Sequence, residues 1–186
     1  MVQSHFPAEL TAVQRLCRMA VLAAVVFVMT MVPKIPIPLG YANLGEAAIL
    51  LIALGFPRRD AALAAGLGSA LTDLLGGYAV WAVPTFIIKG FMAFVVTLTS
   101  GGRTFSDGGL STGRILLSFL LASMWAVAGY TLAGAVLYGS LAVGLTSTPG
   151  LAVECAVNVC VAAAAGTMLR RRKAAKGFHG AGDGEK

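Results

Sequence analysis

The sequence carries little charge: only 12% of its 186 residues are Asp, Glu, Lys or Arg, about half the share found in an ordinary soluble domain. Hydrophobic residues make up 58% of the chain. A soluble domain of this length needs more polar residues to cover its surface, so the composition argues against that class and favours a membrane protein. The apolar segments follow each other with short breaks, which predicts a single membrane domain.

Residues suited to disulfide or metal chemistry are also scarce. The three cysteines, Cys17, Cys155 and Cys160, are an odd number in apolar surroundings and imply no disulfide framework. The two histidines, His5 and His179, lie in polar tails. Because no His, Cys and carboxylate cluster has metal-ligand spacing, we expect neither a metal site nor a cofactor.

The motifs that identify common enzymes are missing from the chain. It contains no Walker phosphate loop, so we do not expect it to bind ATP in that way. It contains no H-E-x-x-H motif and no nucleophile elbow. We therefore expect a protein that performs no covalent chemistry.

Six apolar segments are separated by helix-breaking residues. Since a bilayer core needs about 20 helical residues, we predict transmembrane helices near 12–31, 44–56, 59–77, 80–100, 113–138 and 146–169, the second of them short. The segment PKIPIPLGY (33–41) has three prolines, which exclude a helix. The first apolar segment has a long polar lead and no A-x-A site, so we interpret it as a retained helix rather than a signal peptide. The fold class is an all-α integral membrane protein.

The distribution of basic residues predicts the orientation in the membrane. With six spans, one side receives Arg15, Arg18, Arg58, Arg59, Arg103, Arg114 and the run RRRKAAK (170–176), whereas the other receives only Lys34. This bias predicts a plasma-membrane protein with both termini in the cytoplasm. We divide the chain into an N-terminal tail (1–11), a membrane domain (12–169) and a basic C-terminal tail (170–186). The basic run could also bind nucleic acid, but its place after the last helix favours a cytoplasmic anchor.

Four ionisable residues lie inside the apolar segments, where each costs about 2.5–3.5 kcal/mol. They are Glu46, Asp73, Lys89 and Glu154, with the amides Asn43 and Asn158 beside two of them. Counted along the helices, the carboxylates fall in the outer half of the membrane, and Lys89 lies near the middle with reach towards Asp73. This pattern predicts a polar cup that opens outward and binds a small polar ligand. The alternatives are an Asp73–Lys89 salt bridge and interhelical hydrogen bonds of Glu154 and Asn158 that only fix helix packing.

Other features near the predicted cup have two interpretations each. Tyr78 and Trp81 are placed either to stack on a flat ring or to form an aromatic belt at the membrane surface. The loop 33–45 either folds over the cup as a lid or is an irregular linker. Ala20 and Ala24 are four apart on the first helix, a spacing that allows close contact with a partner helix or with this chain's own helices.

Residues 35–94 carry two distinctive stretches, GYANLGEA (40–47) and GSALTDLLGGYAVWAVPTFIIKG (68–90). They resemble the G-Y-x-N-L-G-[DE]-A and G-S-A-x-[AT]-D-L-x-x-G-Y…P-x-T-F-x-I-K-G segments of the substrate-binding S components of energy-coupling factor (ECF) vitamin transporters. The resemblance is to the group named for riboflavin, which also holds pyridoxine- and hydroxymethylpyrimidine-type members. Glu46 departs from the pattern, in which Asp is common.

This resemblance implies a six-helix membrane subunit that binds a vitamin near the outer surface under its first long loop. It also implies partners, namely a transmembrane coupling subunit (T component) and two ABC-type ATPases, with Ala20 and Ala24 at the contact. The binding positions that it implies are Asn43, Glu46, Asp73, Tyr78, Lys89, Glu154 and Asn158.

From the residue types of the cup we expect a small, flat, neutral or weakly cationic heterocycle, a pyridine or pyrimidine vitamin before riboflavin. Two rival functions remain at this point. One is a solitary proton-coupled carrier in which Asp73 and Glu154 relay protons. The other is a membrane scaffold that transports nothing.

Overall fold

The computed structural model describes residues 11–32, 35–37, 40–102 and 111–182. Residues 1–10 of the predicted N-terminal tail and the last four residues of the chain lie outside these ranges, as do Lys34 and Arg103. The proposed division of the chain into two tails and a membrane domain stays a prediction.

Seven α-helices make up most of the described chain. They are α1 (Ala12–Met31), α2 (Gly45–Gly55), α3 (Arg58–Leu75), α4 (Ala82–Thr99), α5 (Thr112–Leu137), α6 (Leu141–Thr146) and α7 (Thr148–Gly182), with a 3-10 turn at Ala79–Trp81 before α4. Six of them correspond to the predicted spans, which confirms the all-α class. The short helix α6 was not predicted, and α7 continues beyond the predicted end of its span at residue 169.

Four helical segments of the described chain are long and apolar enough to cross a membrane. They are Ala12–Met31, Ala79–Thr99, Thr112–Leu137 and Leu141–Leu169. Helix α2 is apolar but has only 11 residues. Helix α3 has 18 residues and includes Arg58, Arg59, Asp60 and Asp73, so its composition is more polar than that of the other long helices.

The loop between α1 and α2 contains a small antiparallel hairpin of β1 (Ile35–Ile37) and β2 (Gly40–Ala42). The strands pair Ile35 with Ala42 and Ile37 with Gly40. The prediction that this segment is not helical is confirmed for its described residues, 35–37 and 40–41. Pro36 is tolerated because a two-stranded ribbon has only edge strands, where a missing N–H need not break a ladder.

Helix α3 packs between α1 and α4, and its contact with α1 depends on Gly68. A Cβ atom at residue 68 would lie 2.4 Å from the backbone oxygen of Ala23 and 2.9 Å from Cβ of Val26. Because backbone atoms cannot move as freely as a side-chain end, only glycine permits this separation of the two helices. Close packing of α3 on α1 therefore depends on this small residue.

We expect Gly68→Ala to lower the free energy of unfolding by about 1–3 kcal/mol, since the added methyl group forces α1 and α3 apart. Thermal unfolding of the purified protein in detergent measures this effect. Gly55→Ala is the matched control, because nothing lies within 4 Å of a Cβ atom at that helical position. Equal unfolding temperatures for the two variants would contradict the packing argument.

The N-terminal ends of α1 and α3 are joined by an ion-pair cluster. Asp60 is fully buried, and its Oδ1 accepts a hydrogen bond of 2.9 Å from Arg15 Nε. Its Oδ2 contacts the guanidinium of Arg18. Two partners compensate the buried carboxylate, as such a group requires. The cluster places Arg15, Arg18, Arg58 and Arg59 at one end of the bundle, which we call the basic end.

The outward faces of the helices are apolar. Large exposed side chains include Leu67, Leu71 and Leu74 on α3, Val83 and Ile87 on α4, and Leu120 and Met124 on α5. A soluble protein rarely exposes so much contiguous apolar surface. The pattern is that of helices whose outer faces contact lipid.

Candidate functional site

A buried ion pair joins α2 to α4. The Lys89 Nζ atom lies 2.6 Å from Glu46 Oε1, and the two residues are 5% and 1% exposed. From the sequence we expected Lys89 to reach towards Asp73, whereas in the structure its ion pair is with Glu46. Glu46 belongs to the first turn of α2, and α2 packs directly against α4, which brings the carboxylate to the depth of the amine.

The second oxygen of Glu46 is available for further bonding. Glu46 Oε2 is buried and has no hydrogen-bond partner among the described residues. A buried acceptor without a donor costs about 1–3 kcal/mol. Such a cost at a residue already held by Lys89 suggests an atom whose partner arrives with a ligand.

Tyr130 of α5 is the central group that sequence analysis missed. Its ring centroid lies 5.2 Å from Lys89 Nζ, which is a cation–π contact, and its hydroxyl donates to Thr85 Oγ1 at 3.2 Å. Tyr130 therefore joins α5 to the ion pair of Glu46 and Lys89.

Asp73 is buried in the last turn of α3. Its backbone oxygen accepts a 2.9 Å hydrogen bond from the amide of Tyr78. Gly77 between them has φ of +87°, a conformation that favours glycine and lets the chain reverse into α4. The GGY segment thus ends α3 as predicted and holds Asp73 at the same end of the bundle as Glu46.

Glu154 and Asn158 of α7 contact the chain where it enters α2. Glu154 Oε1 accepts a hydrogen bond of 2.9 Å from the backbone N–H of Asn43. Asn158 Oδ1 accepts from the Ala47 amide at 2.9 Å, and Asn158 Nδ2 donates to the Asn43 carbonyl at 2.8 Å. These bonds attach α7 to residues on either side of Glu46, so α7 closes the same polar region.

Trp81 is buried rather than displayed at the surface of the bundle. Its ring lies 6.0 Å from the ring of Tyr130 and 6.2 Å from that of Tyr138, and its Nε1 donates to the Tyr138 hydroxyl at 3.4 Å. Tyr78 is half-buried beside this group. The inward position of Trp81 fits the stacking interpretation better than the aromatic-belt interpretation.

We call the buried polar residues gathered at this end of the bundle the polar cluster; its members are Asn43, Glu46, Asp73, Lys89, Tyr130, Glu154 and Asn158. It lies where α2 begins, α3 ends and α4 and α7 begin, at the end of the bundle opposite the basic end. Across the described ranges, no group of three His, Cys, Asp or Glu residues is arranged to hold a metal ion. The cluster suits recognition of an organic molecule through charge and hydrogen bonds.

The predicted partner-contact residues, Ala20 and Ala24, are both exposed on α1. Together with Leu16 and Val28 they form an exposed stripe at four-residue spacing. Of the 20 residues of α1 only Leu22, Val26 and Thr30 are buried, whereas eight of the 18 residues of α4 are buried. The interpretation that these alanines pack inside the chain is therefore not supported.

Comparison with known proteins finds relatives by family, by sequence and by structure. Residues 11–171 match the family model of the ECF-type riboflavin transporter S component. An "Uncharacterized protein in gap 3'region" of Pyrococcus woesei is 38% identical over 146 residues, which cover 77% of this chain and 88% of that protein. A solved structure of the S component of a bacterial ECF transporter superposes with a TM-score of 0.62 at 18% identity, covering 86% of this chain and 95% of that one.

The superposition confirms the predicted fold, and the family match confirms a multi-pass membrane transport subunit rather than an enzyme. The side of the membrane on which each terminus lies stays a prediction. The chain belongs to the family of S components, the substrate-binding subunits of ECF-type riboflavin transporters.

Proposed function

We propose that the polar cluster binds an unphosphorylated, one-ring heterocyclic vitamin of the pyridoxine or hydroxymethylpyrimidine type, with riboflavin as the second candidate. The observation that carries this proposal is the excess of acid at the site. Glu46 and Lys89 form one buried ion pair, and Asp73 and Glu154 are two further buried acids at the same end of the bundle, where Lys89 is the one buried amine of the described residues. In a poorly hydrated site this imbalance favours a neutral or weakly cationic ligand with N–H and O–H donors.

The spacing of the groups supports a small ligand. Lys89 Nζ is 2.6 Å from Glu46 and 5.2 Å from the Tyr130 ring, whose centroid lies 6.0 Å from that of Trp81. A single ring can meet an acid, an amine and an aromatic face at these separations more readily than three fused rings. In this assignment Tyr78 and Trp81 provide the stacking face. Asn43 and Glu154 line the side of the site next to the loop between α1 and α2.

The transport step requires partners that supply ATP hydrolysis. We assign the stripe of Ala20 and Ala24 to contact with the membrane-embedded coupling subunit, since it is exposed and has small side chains at its centre. Two ABC-type ATPases complete the importer. The basic end, with its Arg15, Arg18 and Asp60 cluster, faces the cytoplasm in this assignment, and the polar cluster faces outward.

Isothermal titration of the purified, ligand-free protein tests the substrate assignment. We expect pyridoxine or hydroxymethylpyrimidine to bind at least about tenfold more tightly than riboflavin, a difference of about 1.4 kcal/mol. Pyridoxal 5′-phosphate and flavin mononucleotide should bind weakly, because their phosphates meet the excess of carboxylates. Tightest binding by riboflavin would refute the one-ring assignment, and tightest binding by a phosphate ester would refute the electrostatic argument.

Uptake into vesicles separates this function from a proton-coupled carrier. The chain alone should give no concentrative uptake of the vitamin that binds in titration, even with a pH gradient. Co-reconstitution with a coupling subunit and ATPases, plus ATP, should restore it. Uptake driven by the pH gradient alone would contradict the proposal.

A further inference from the structure

The start of α2 lacks the capping group that a helix usually has. Its N-cap residue is Leu44, which makes no side-chain hydrogen bond to the first turn. The first amides of a helix have no partner within the helix and need one elsewhere. Asn43 Oδ1 accepts from the Gly45 amide at 2.8 Å, and Asn158 Oδ1 accepts from the Ala47 amide at 2.9 Å. One of the two caps therefore comes from a different helix, α7.

The amide of Asn158 is committed to this contact. Its Nδ2 carries two hydrogens, and both are used, one on the Asn43 carbonyl at 2.8 Å and one on the Glu154 carbonyl at 2.9 Å. The residue is only 1% exposed. No donor of Asn158 is left for a vitamin, although sequence analysis placed this residue among the ligand contacts.

Glu154 strengthens the same attachment from one turn earlier on α7. Its Oε1 accepts from the Asn43 amide, so both the N–H and the C=O of Asn43 are bonded to α7. The backbone on either side of Glu46 is thereby held through Gly45 and Ala47. This fixes the direction in which the Glu46 side chain leaves α2 and meets Lys89.

We propose that Asn158 and Glu154 form a latch that fastens residues 43–47 to α7, with Asn158 acting as a positioning residue rather than as a ligand contact. We call this the α7 latch. The α7 latch rests on the proposed function in one respect only, namely that it positions Glu46, a residue of the proposed binding site. Exchange of a vitamin through the loop between α1 and α2 must then either break the bonds at Asn43 or move α2 and α7 as one unit.

Backbone hydrogen exchange of the full chain in lipid nanodiscs, with no vitamin added, measures the latch directly. We expect Asn158→Ala to speed exchange in peptides covering residues 40–50 by about tenfold or more, because bonds at both Asn43 and Ala47 depend on it. Exchange in α5 should change little. An unchanged rate in residues 40–50 would overturn the proposal, and so would faster exchange spread evenly over all helices.

A second pair of variants keeps the proposal testable should Asn158→Ala fail to fold. Glu154→Gln retains an oxygen that can accept from the Asn43 amide, whereas Glu154→Leu does not. We expect exchange near the wild-type rate for the first and clearly faster exchange for the second. Equal exchange in the two variants would overturn the latch. Ser123→Ala is the matched control, because Ser123 Oγ is buried on α5 without a hydrogen-bond partner among the described residues.

The same variants, titrated with pyridoxine and with riboflavin, distinguish failure of the latch from failure of the proposed function. Asn158→Ala should speed dissociation of whichever vitamin binds while exchange of residues 40–50 also rises. Lost binding with unchanged exchange would show that Asn158 is a ligand contact after all. Faster exchange in a protein to which neither vitamin binds would leave the latch supported and the substrate assignment wrong.

Discussion

Replacing Lys89 with methionine is expected to lower the free energy of unfolding by about 3–5 kcal/mol, because it leaves the buried carboxylate of Glu46 without its counter-charge. Methionine has a similar length and is apolar, so the change removes the charge with little loss of packing. Glu46 Oε2 already lacks a hydrogen-bond partner among the described residues, so no spare donor is at hand. Chemical or thermal unfolding in detergent measures the loss.

The double variant Glu46→Leu/Lys89→Met separates the stability of the pair from its use in binding. Two apolar side chains of similar volume remove both charges, so most of the lost stability should return. If the pair contacts the vitamin, the double variant folds but shows at least about a hundredfold weaker binding in titration, a loss of about 2.7 kcal/mol. Binding at wild-type affinity would mean that the pair serves only helix packing.

Arg59→Met provides the control for removing a basic residue. Arg59 is exposed at the start of α3. Surface substitutions of this kind usually change stability by less than about 0.5 kcal/mol. A loss of stability at Arg59 comparable with that at Lys89 would show that net charge, rather than the buried pair, dominates the effect.

The positions of the long helices follow closely from sequence. The predicted limits of α1 agree with the structure, and those of α4 differ by two residues at the start and one at the end. Prolines and glycines end these segments, and the signal is strong because apolar runs of this length are rare in loops. Helix α6 was missed because six residues do not establish a helical period.

The partner of Lys89 was not predictable in the same way. Counting residues along a helix gives depth at about 1.5 Å per residue, and this placed Lys89 and Asp73 within reach of each other. Which acid the amine meets depends on the rotation and neighbours of α2, and these are set by packing rather than by spacing. Because α2 packs against α4, the acid that Lys89 contacts is Glu46.

Sequence analysis did not identify two further residues of the buried polar groups. Tyr130 lies on α5, a helix without an ionisable acid or amine in its membrane portion, so nothing marked it as part of a polar site. Asp60 falls at the start of the predicted third span and was not counted among the buried ionisable residues, although it is fully buried and paired with Arg15 and Arg18. In both cases the missing information is a contact between distant helices, which a single sequence does not display.

Replacing both Ala20 and Ala24 with tryptophan is expected to abolish ATP-dependent uptake while leaving vitamin binding within about twofold of the wild type. Both alanines are exposed, so the larger rings meet no other helix of the described chain and should not disturb the polar cluster, none of whose residues lies on α1. A partner helix that packs closely against them would be pushed away. Overpacking costs about 1–3 kcal/mol at each position, so the two substitutions together should weaken the affinity for the coupling subunit tenfold or more.

Two measurements on the same preparation test this expectation, namely titration of the isolated chain and co-purification with the coupling subunit and ATPases. Ala128→Trp on α5 is the matched control, since it adds the same ring at an exposed alanine outside the stripe. Normal uptake by the Ala20/Ala24 variant would remove α1 from the partner interface. Loss of uptake by the Ala128 variant as well would show that a bulky ring anywhere on the lipid-facing surface is harmful, and the stripe would then have no special role. Selective loss at α1 instead places energy coupling on a helix that contributes only Leu22, Val26 and Thr30 to the buried core. Its inner face packs against Gly68 and pairs with Asp60 of α3, so its outer face can contact a partner.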